Sequence, residues 1–186
     1  MSAVLHPAMT VGDFLAWERA QDLRWEFDGR RALAMTGGAI AHSVIATNLA
    51  EALRARLGTG PCRAFRGDVK ILVNGRVRYP DAVVTCAPVA LGSDIVPDPV
   101  VVFEVLSPGT GRADRVAKNG EYRATPSIRR YVMPEQDEIA ATVFARVGDD
   151  WVGHLLTGAA VLAMPEIGVE LPLADLYAGA LPAAEG

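Results

Sequence analysis

The chain has 186 residues, 51% of them hydrophobic, and a formal net charge of −4, which suits one globular domain with a sizeable core. The apolar residues are dispersed, so no run is long enough to span a bilayer, and the N-terminus shows no charged region followed by an apolar core; a soluble, cytoplasmic chain is expected. The acidic balance argues against a basic surface that grips nucleic acid indiscriminately, although carboxylates that hold a cation would count in the same total.

In chain order, residues 10–19 read as a first helix capped by Thr10. Residues 23–27 and 30–35 flank Asp28-Gly29, a two-residue hairpin signal. Residues 39–57 predict the clearest helix, with Ile40, Val44, Leu49, Leu53 and Leu57 at helical spacing and Gly58 as its stop. Residues 62–66 and 69–73 are strand-like, Asn74-Gly75 is a second hairpin turn, and 76–79 return toward Asp81. Pro80-Asp81 opens the apolar run 82–86, and the prolines and glycine within 87–99 make that segment a loop. After the strand 100–106 comes the turn Ser107-Pro108-Gly109-Thr110, then a helix that Thr110 would cap. Residues 128–133 form a strand ended by Pro134, and 138–146 with 151–156 form a hairpin through Gly148-Asp149-Asp150. Short apolar pieces at 160–164 and 169–171 and a helical turn at 174–178 complete the chain. The expected architecture is one α/β domain over 1–186, with a central mixed sheet flanked by helices. Its core would cover about 23–146 and a C-terminal β-ribbon 138–173. Cys62 and Cys86 both lie in apolar strand-like stretches and are expected as reduced core thiols.

The chemistry centres on Val100-Val101-Val102-Phe103-Glu104-Val105-Leu106, which is apolar except at Glu104 and reads as a strand buried on both faces. A carboxylate there needs a reason. If this strand pairs antiparallel with 82–86, a register setting residue 81 opposite 104, or offset by two, puts both acids on one face. Two such charges are relieved by a proton, an arginine or a divalent cation. Spacing alone also fits Glu104 as a buried acid paired with Arg112 or Arg115, and Asp81 after Pro80 as a strand-entry residue. Lysine occurs only at 70 and 118, so either is a candidate point charge.

Pro80-Asp81, then Glu104-Val105-Leu106-Ser107-Pro108-Gly109-Thr110, then Arg112, Asp114, Lys118 and Tyr122 resemble the core pattern of the Uma-two family, a branch of the PD-(D/E)XK nuclease superfamily with a restriction-endonuclease-like fold. Trp25-Glu26-Phe27-Asp28-Gly29 resembles that family's N-terminal signature, and His42 falls where its next helix opens with histidine. The resemblance implies a magnesium-dependent endonuclease acting on nucleic acid, DNA in the first place, with manganese able to substitute and a homodimer as the working form. It implies Asp81, Glu104 and the Val105 carbonyl as metal ligands, Lys118 at the transition state, and Glu26 and His42 as further catalytic candidates. Arg78, Arg112 and Arg115 would then contact substrate. The superfamily's usual lysine lies two residues after the second acid, where this chain has Leu106; Lys118 on the next helix matches the displaced position, while geometry alone leaves Lys70 open. A nuclease-fold module without activity, serving binding, is the alternative.

Overall fold

The computed structural model describes residues 3–5, 9–35, 37–107 and 112–181, with side chains for all but 3–5 and 112–114. It opens with β1 (Ala3–Leu5), α1 (Val11–Glu18), β2 (Trp25–Phe27), β3 (Arg31–Ala34) and the long α2 (Ile40–Leu57). Four short strands follow, β4 (Arg63–Arg66), β5 (Ile71–Val73), β6 (Arg76–Arg78) and β7 (Ala82–Thr85). Then come β8 (Pro99–Phe103), α3 (Arg112–Arg123), β9 (Arg130–Pro134), β10 (Ala140–Val147), β11 (Asp150–Thr157), β12 (Val161–Met164) and β13 (Val169–Pro172). Local chemistry explains the starts and turns. Thr10 and Asp13 form a capping box at the head of α1, satisfying main-chain N–H groups that have no partner within the helix. Asn74 and Gly75 both take positive φ, at 46° and 72°, which is the turn that joins two twisted strands with two residues. At Asp28-Gly29 the loop is longer than expected: Asp28 Oδ1 accepts from the Arg30 and Arg31 amides, and pairing resumes at Phe27 and Ala32.

Two sheets carry the site. One is antiparallel, ordered β1-β3-β2-β6-β5; the other is mixed, ordered β11-β10-β9-β8-β7-β4, with β8 and β9 parallel. A parallel pair needs a crossover, and α3 supplies it, which sets α3 beside the end of β8. The β7–β8 register pairs Ala82 with Phe103 and Val83 with Val102, so Asp81 and Glu104 stand opposite each other just beyond the ladder. Ile45, Leu49 and Leu53 of α2 pack on Ala82, Val84, Val101 and Phe103. Tyr122 and Ile128 cover the opposite face with Val83, Val102 and Tyr131.

Three expectations change. The hairpin of β10 and β11 extends the central sheet past β9 and is not part of a separate ribbon; only β12 and β13 form one. The inner stripe of α2 runs through Ile45, Ala46, Leu49 and Leu53, and Ile40 is 85% exposed. Cys62 and Cys86 are bonded to each other: the β4–β7 ladder pairs Arg63 with Thr85, which sets the two cysteines opposite one another at the next rung. The expected cap at Thr110 lies outside the described residues. Among the described residues no helix is long and apolar enough to cross a membrane.

Candidate functional site

Asp81, Glu104, Lys118, Glu26 and His42 all line one cavity of about 490 Å³, together with Tyr79, Val105, Leu106, Ser107 and Arg115. They come from five segments: Glu26 from β2, His42 from the first turn of α2, Asp81 from the entry to β7, Glu104 from the exit of β8, and Lys118 from α3. Asp81 Oδ2 accepts from the Val105 amide at 2.7 Å, and His42 Nε2 lies 3.2 Å from the same oxygen. Lys118 Nζ is 3.2 and 3.1 Å from the two oxygens of Glu104 and 3.2 Å from Glu26 Oε1. Tyr122, one turn along α3 from Lys118, donates its hydroxyl to Glu104 Oε1 at 2.6 Å.

The electrostatics follow from this crowding. Burial pushes the Glu104 carboxyl up to about 7; Lys118 opposes the shift, while Glu26 and Asp81 add to it. The hydrogen bond to Asp81 raises the His42 imidazole, with the Glu104 charge and the Val105 main-chain carbonyl adding to it. The ring of His42 therefore sits among Asp81, Glu104 and the Val105 carbonyl.

A second layer fixes Glu26. Arg78 Nη1 donates to Glu26 Oε2 at 3.0 Å, and its Nε and Nη2 form a fork on Glu121 at 2.7 and 2.8 Å. The Tyr79 amide also reaches Glu26 Oε1, at 3.3 Å. Arg78 is 2% exposed, so the expected role of Arg78 in contacting substrate is corrected: its guanidinium is spent on two carboxylates. Arg115 does face the cavity, and its buried Nε has no hydrogen-bond partner among the described residues. The Arg112 side chain lies outside the described residues. Lys70 stands elsewhere, between Glu18 at 2.5 Å and Asp94 at 2.9 Å, with Tyr79 donating to Glu18 at 2.6 Å; burial alone would lower the Lys70 ammonium, but these partners raise it. Of the two lysines, Lys118 is the one in the cavity. Tyr122, Glu121 and Tyr79 are the residues of the site to which sequence reasoning gives no role. Tyr122 is within its reach, since a spacing of four places it on the Lys118 face of a helix; the partners of Glu121 are distant in sequence and leave no local signal.

Residues 11–174 match the Uma2 family, described as putative restriction endonucleases. The chain belongs to the Uma2 family. An uncharacterized protein of Synechocystis sp. is 29% identical over 177 residues, 93% of each chain. A second uncharacterized protein of the same organism is 24% identical, over 81% of this chain and 88% of its own. The crystal structure of a putative nuclease belonging to DUF820 from Anabaena variabilis superimposes with a TM-score of 0.74 at 17% identity, covering 91% of this chain and 98% of that one. The fold is thus the restriction-endonuclease-like one that the resemblance implied, and a nuclease-like function goes with the family.

Gly38 gives this Uma2 site a sharp local test. A Cβ there would lie 3.0 Å from His42 Nδ1 and 3.1 Å from Cγ. Gly38→Ala is expected to push the ring off Asp81 and return its pKa toward the ordinary histidine value, at a stability cost under about 1 kcal/mol. Imidazole NMR titration reads this directly, and an unchanged titration would show that the loop yields in place of the ring.

Proposed function

We propose that the protein is a magnesium-dependent endonuclease that hydrolyses phosphodiester bonds of DNA. The observation that carries the proposal is the convergence of Asp81, Glu104 and Lys118 on one cavity. The donor set fits a hard cation. It is all oxygen, from two carboxylates on rigid strand ends and the Val105 carbonyl, and magnesium needs only one or two carboxylates because it keeps several waters. A carboxylate offers about four lone-pair sites; Lys118 and Tyr122 take three on Glu104 and leave one on Oε2. His42, between Asp81 and the Val105 carbonyl, marks where a positive charge is favoured.

When bound, the ion lowers the pKa of a water and offsets charge on the scissile phosphate. Asp81 and Glu104 hold it, and the Val105 amide keeps Asp81 in orientation. Lys118, clasped by Glu26 and Glu104, presents its ammonium to the phosphate oxygens as they gain charge. Glu26 places that ammonium, and Arg78 with Glu121 places Glu26. Arg115, with an unsatisfied Nε in the cavity wall, has a donor to spend on a phosphate oxygen. The proposal includes a homodimer, whose two sites match the two strands of a duplex, and a cytoplasmic setting, where the thiol pool would open the Cys62–Cys86 bond.

The test is cleavage of DNA and RNA with magnesium or manganese against EDTA, run beside thermal melts. Magnesium is expected to stabilise the wild type by about 2.7 kcal/mol at roughly a hundred times its dissociation constant. Asp81→Asn should gain little, because an amide oxygen is a poorer ligand for a hard cation. A chain that neither cleaves nor shifts its melting temperature with magnesium is not this enzyme.

A further inference from the structure

A second and larger cavity, of about 840 Å³, runs from the edge of the acid site along the channel between α2 and β4. The two cavities share Gly38, His42 and Asp81, so the channel begins where the acids converge. Its α2 wall includes the small side chains of Ser43, Ala46, Thr47 and Ala50, and β4 is an edge strand of the central sheet. Three arginines line it: Arg24, Arg54 and Arg66.

These arginines differ from others in the fold. Arg56, Arg76, Arg78 and Arg130 each pair with a carboxylate, whereas Arg24, Arg54 and Arg66 are exposed and, among the described residues, have no carboxylate within pairing distance. We infer that this groove seats one strand of the nucleic-acid substrate, with Arg24, Arg54 and Arg66 on its phosphates and its course leading to Asp81. The inference rests on the nuclease reading and adds the path by which the strand arrives.

Dimensions and charge agree with that occupant. Between His42 and Arg54 the helix advances about 18 Å, at about 1.5 Å per residue, equal to the rise of about five base pairs along a duplex axis at roughly 3.4 Å each. Glu51 and Asp68 also line the groove, so it is not uniformly basic, as expected of a chain with net charge −4. Small side chains along α2 let a sugar–phosphate backbone approach the helix closely. Arginine suits the task because its planar fork matches phosphate oxygens.

Binding measured in EDTA tests this independently of the metal site. A fluorescein-labelled DNA duplex, its single strand and the RNA of the same sequence are titrated by anisotropy against wild type, Arg54→Glu, Arg66→Glu and the double variant. Arg30→Glu, a hairpin position outside both cavities, is the control for net charge. Each groove reversal is expected to weaken binding about tenfold, and the double variant about a hundredfold, with the salt slope falling by about 0.9 for each phosphate no longer neutralised. Melts establish that the variants fold, and Arg54→Gln with Arg66→Gln gives a milder pair should either reversal not fold. Double-variant affinity within about twofold of wild type, or an equal loss in Arg30→Glu, overturns the groove. Magnesium-dependent cleavage by the wild type is scored separately. A wild type that cleaves while the double variant binds normally keeps the nuclease and loses the groove; one that does not cleave but loses binding through these arginines keeps the groove and loses the hydrolysis.

Discussion

Glu104→Gln is expected to lower magnesium-dependent DNA cleavage on the order of a thousandfold, the scale on which a single preorganised charge at a reacting centre acts, while leaving the fold nearly as stable as before. The second half of this expectation comes from the environment of Glu104. Burial pushes its carboxyl up to about 7, so the charge that glutamine removes is one the pocket itself disfavours. The amide oxygen still accepts from Tyr122, and Lys118 keeps Glu26 as its counterion. What disappears is an anionic oxygen for the cation, and with it half of the paired carboxylates. A cleavage time course with magnesium, beside a melt in EDTA, reads both halves. Activity within about tenfold of wild type would remove Glu104 from the chemistry, since losing a metal ligand cannot cost so little.

The largest stability effect is expected one layer further out. Glu121→Gln should cost about 3–5 kcal/mol, the range for breaking one side of a buried ion pair. Arg78 is almost wholly enclosed and bonds Glu121 through both Nε and Nη2, so the substitution leaves a buried guanidinium with only Glu26 as a charged partner. Arg78→Met combined with Glu121→Gln should recover most of the loss, because the charge and its burial penalty go together and Glu26 retains Lys118. Urea unfolding of the two single variants and the double variant closes the cycle. A cost below about 1 kcal/mol for Glu121→Gln would mean that water reaches Arg78 freely.

The parts that sequence can disclose are those whose causes are local. The capping box at Thr10, the positive-φ turn at Asn74-Gly75 and the long helix ending at Gly58 depend on neighbours within a few residues, and each is where the sequence predicts it. Opposition of Asp81 and Glu104 is legible as one of two registers because a strand's side chains alternate strictly. The rest depends on which element lies beside which. Alternating apolarity at 140–157 announces a hairpin but not the sheet it joins. Arg76 and Arg78 look alike on a strand and both reach Glu121, yet Arg78 is enclosed and Arg76 is partly exposed; Arg78 alone is also held by Glu26, from 52 residues away. The cysteine pairing is likewise set by the β4–β7 register and not by spacing. Between Lys70 and Lys118, the partners decide, and Glu18 is 52 residues from Lys70.

The ion pair between Lys118 and Glu26 spans 92 residues, and that between Arg78 and Glu26 spans 52. Contacts of such separation are slow to form, because the chain between them must be ordered before the contact can repay its entropy. Glu26 comes from the first sheet, Glu104 from the second, and Lys118 from the crossover that only the parallel pairing of β8 and β9 fixes in place. No shorter piece of the chain therefore contains the assembled acids with their lysine. During synthesis the arrangement can close only after α3 has emerged and docked, so a site of this kind comes into being as one of the last events of folding, and a partly folded chain carries its residues without their arrangement.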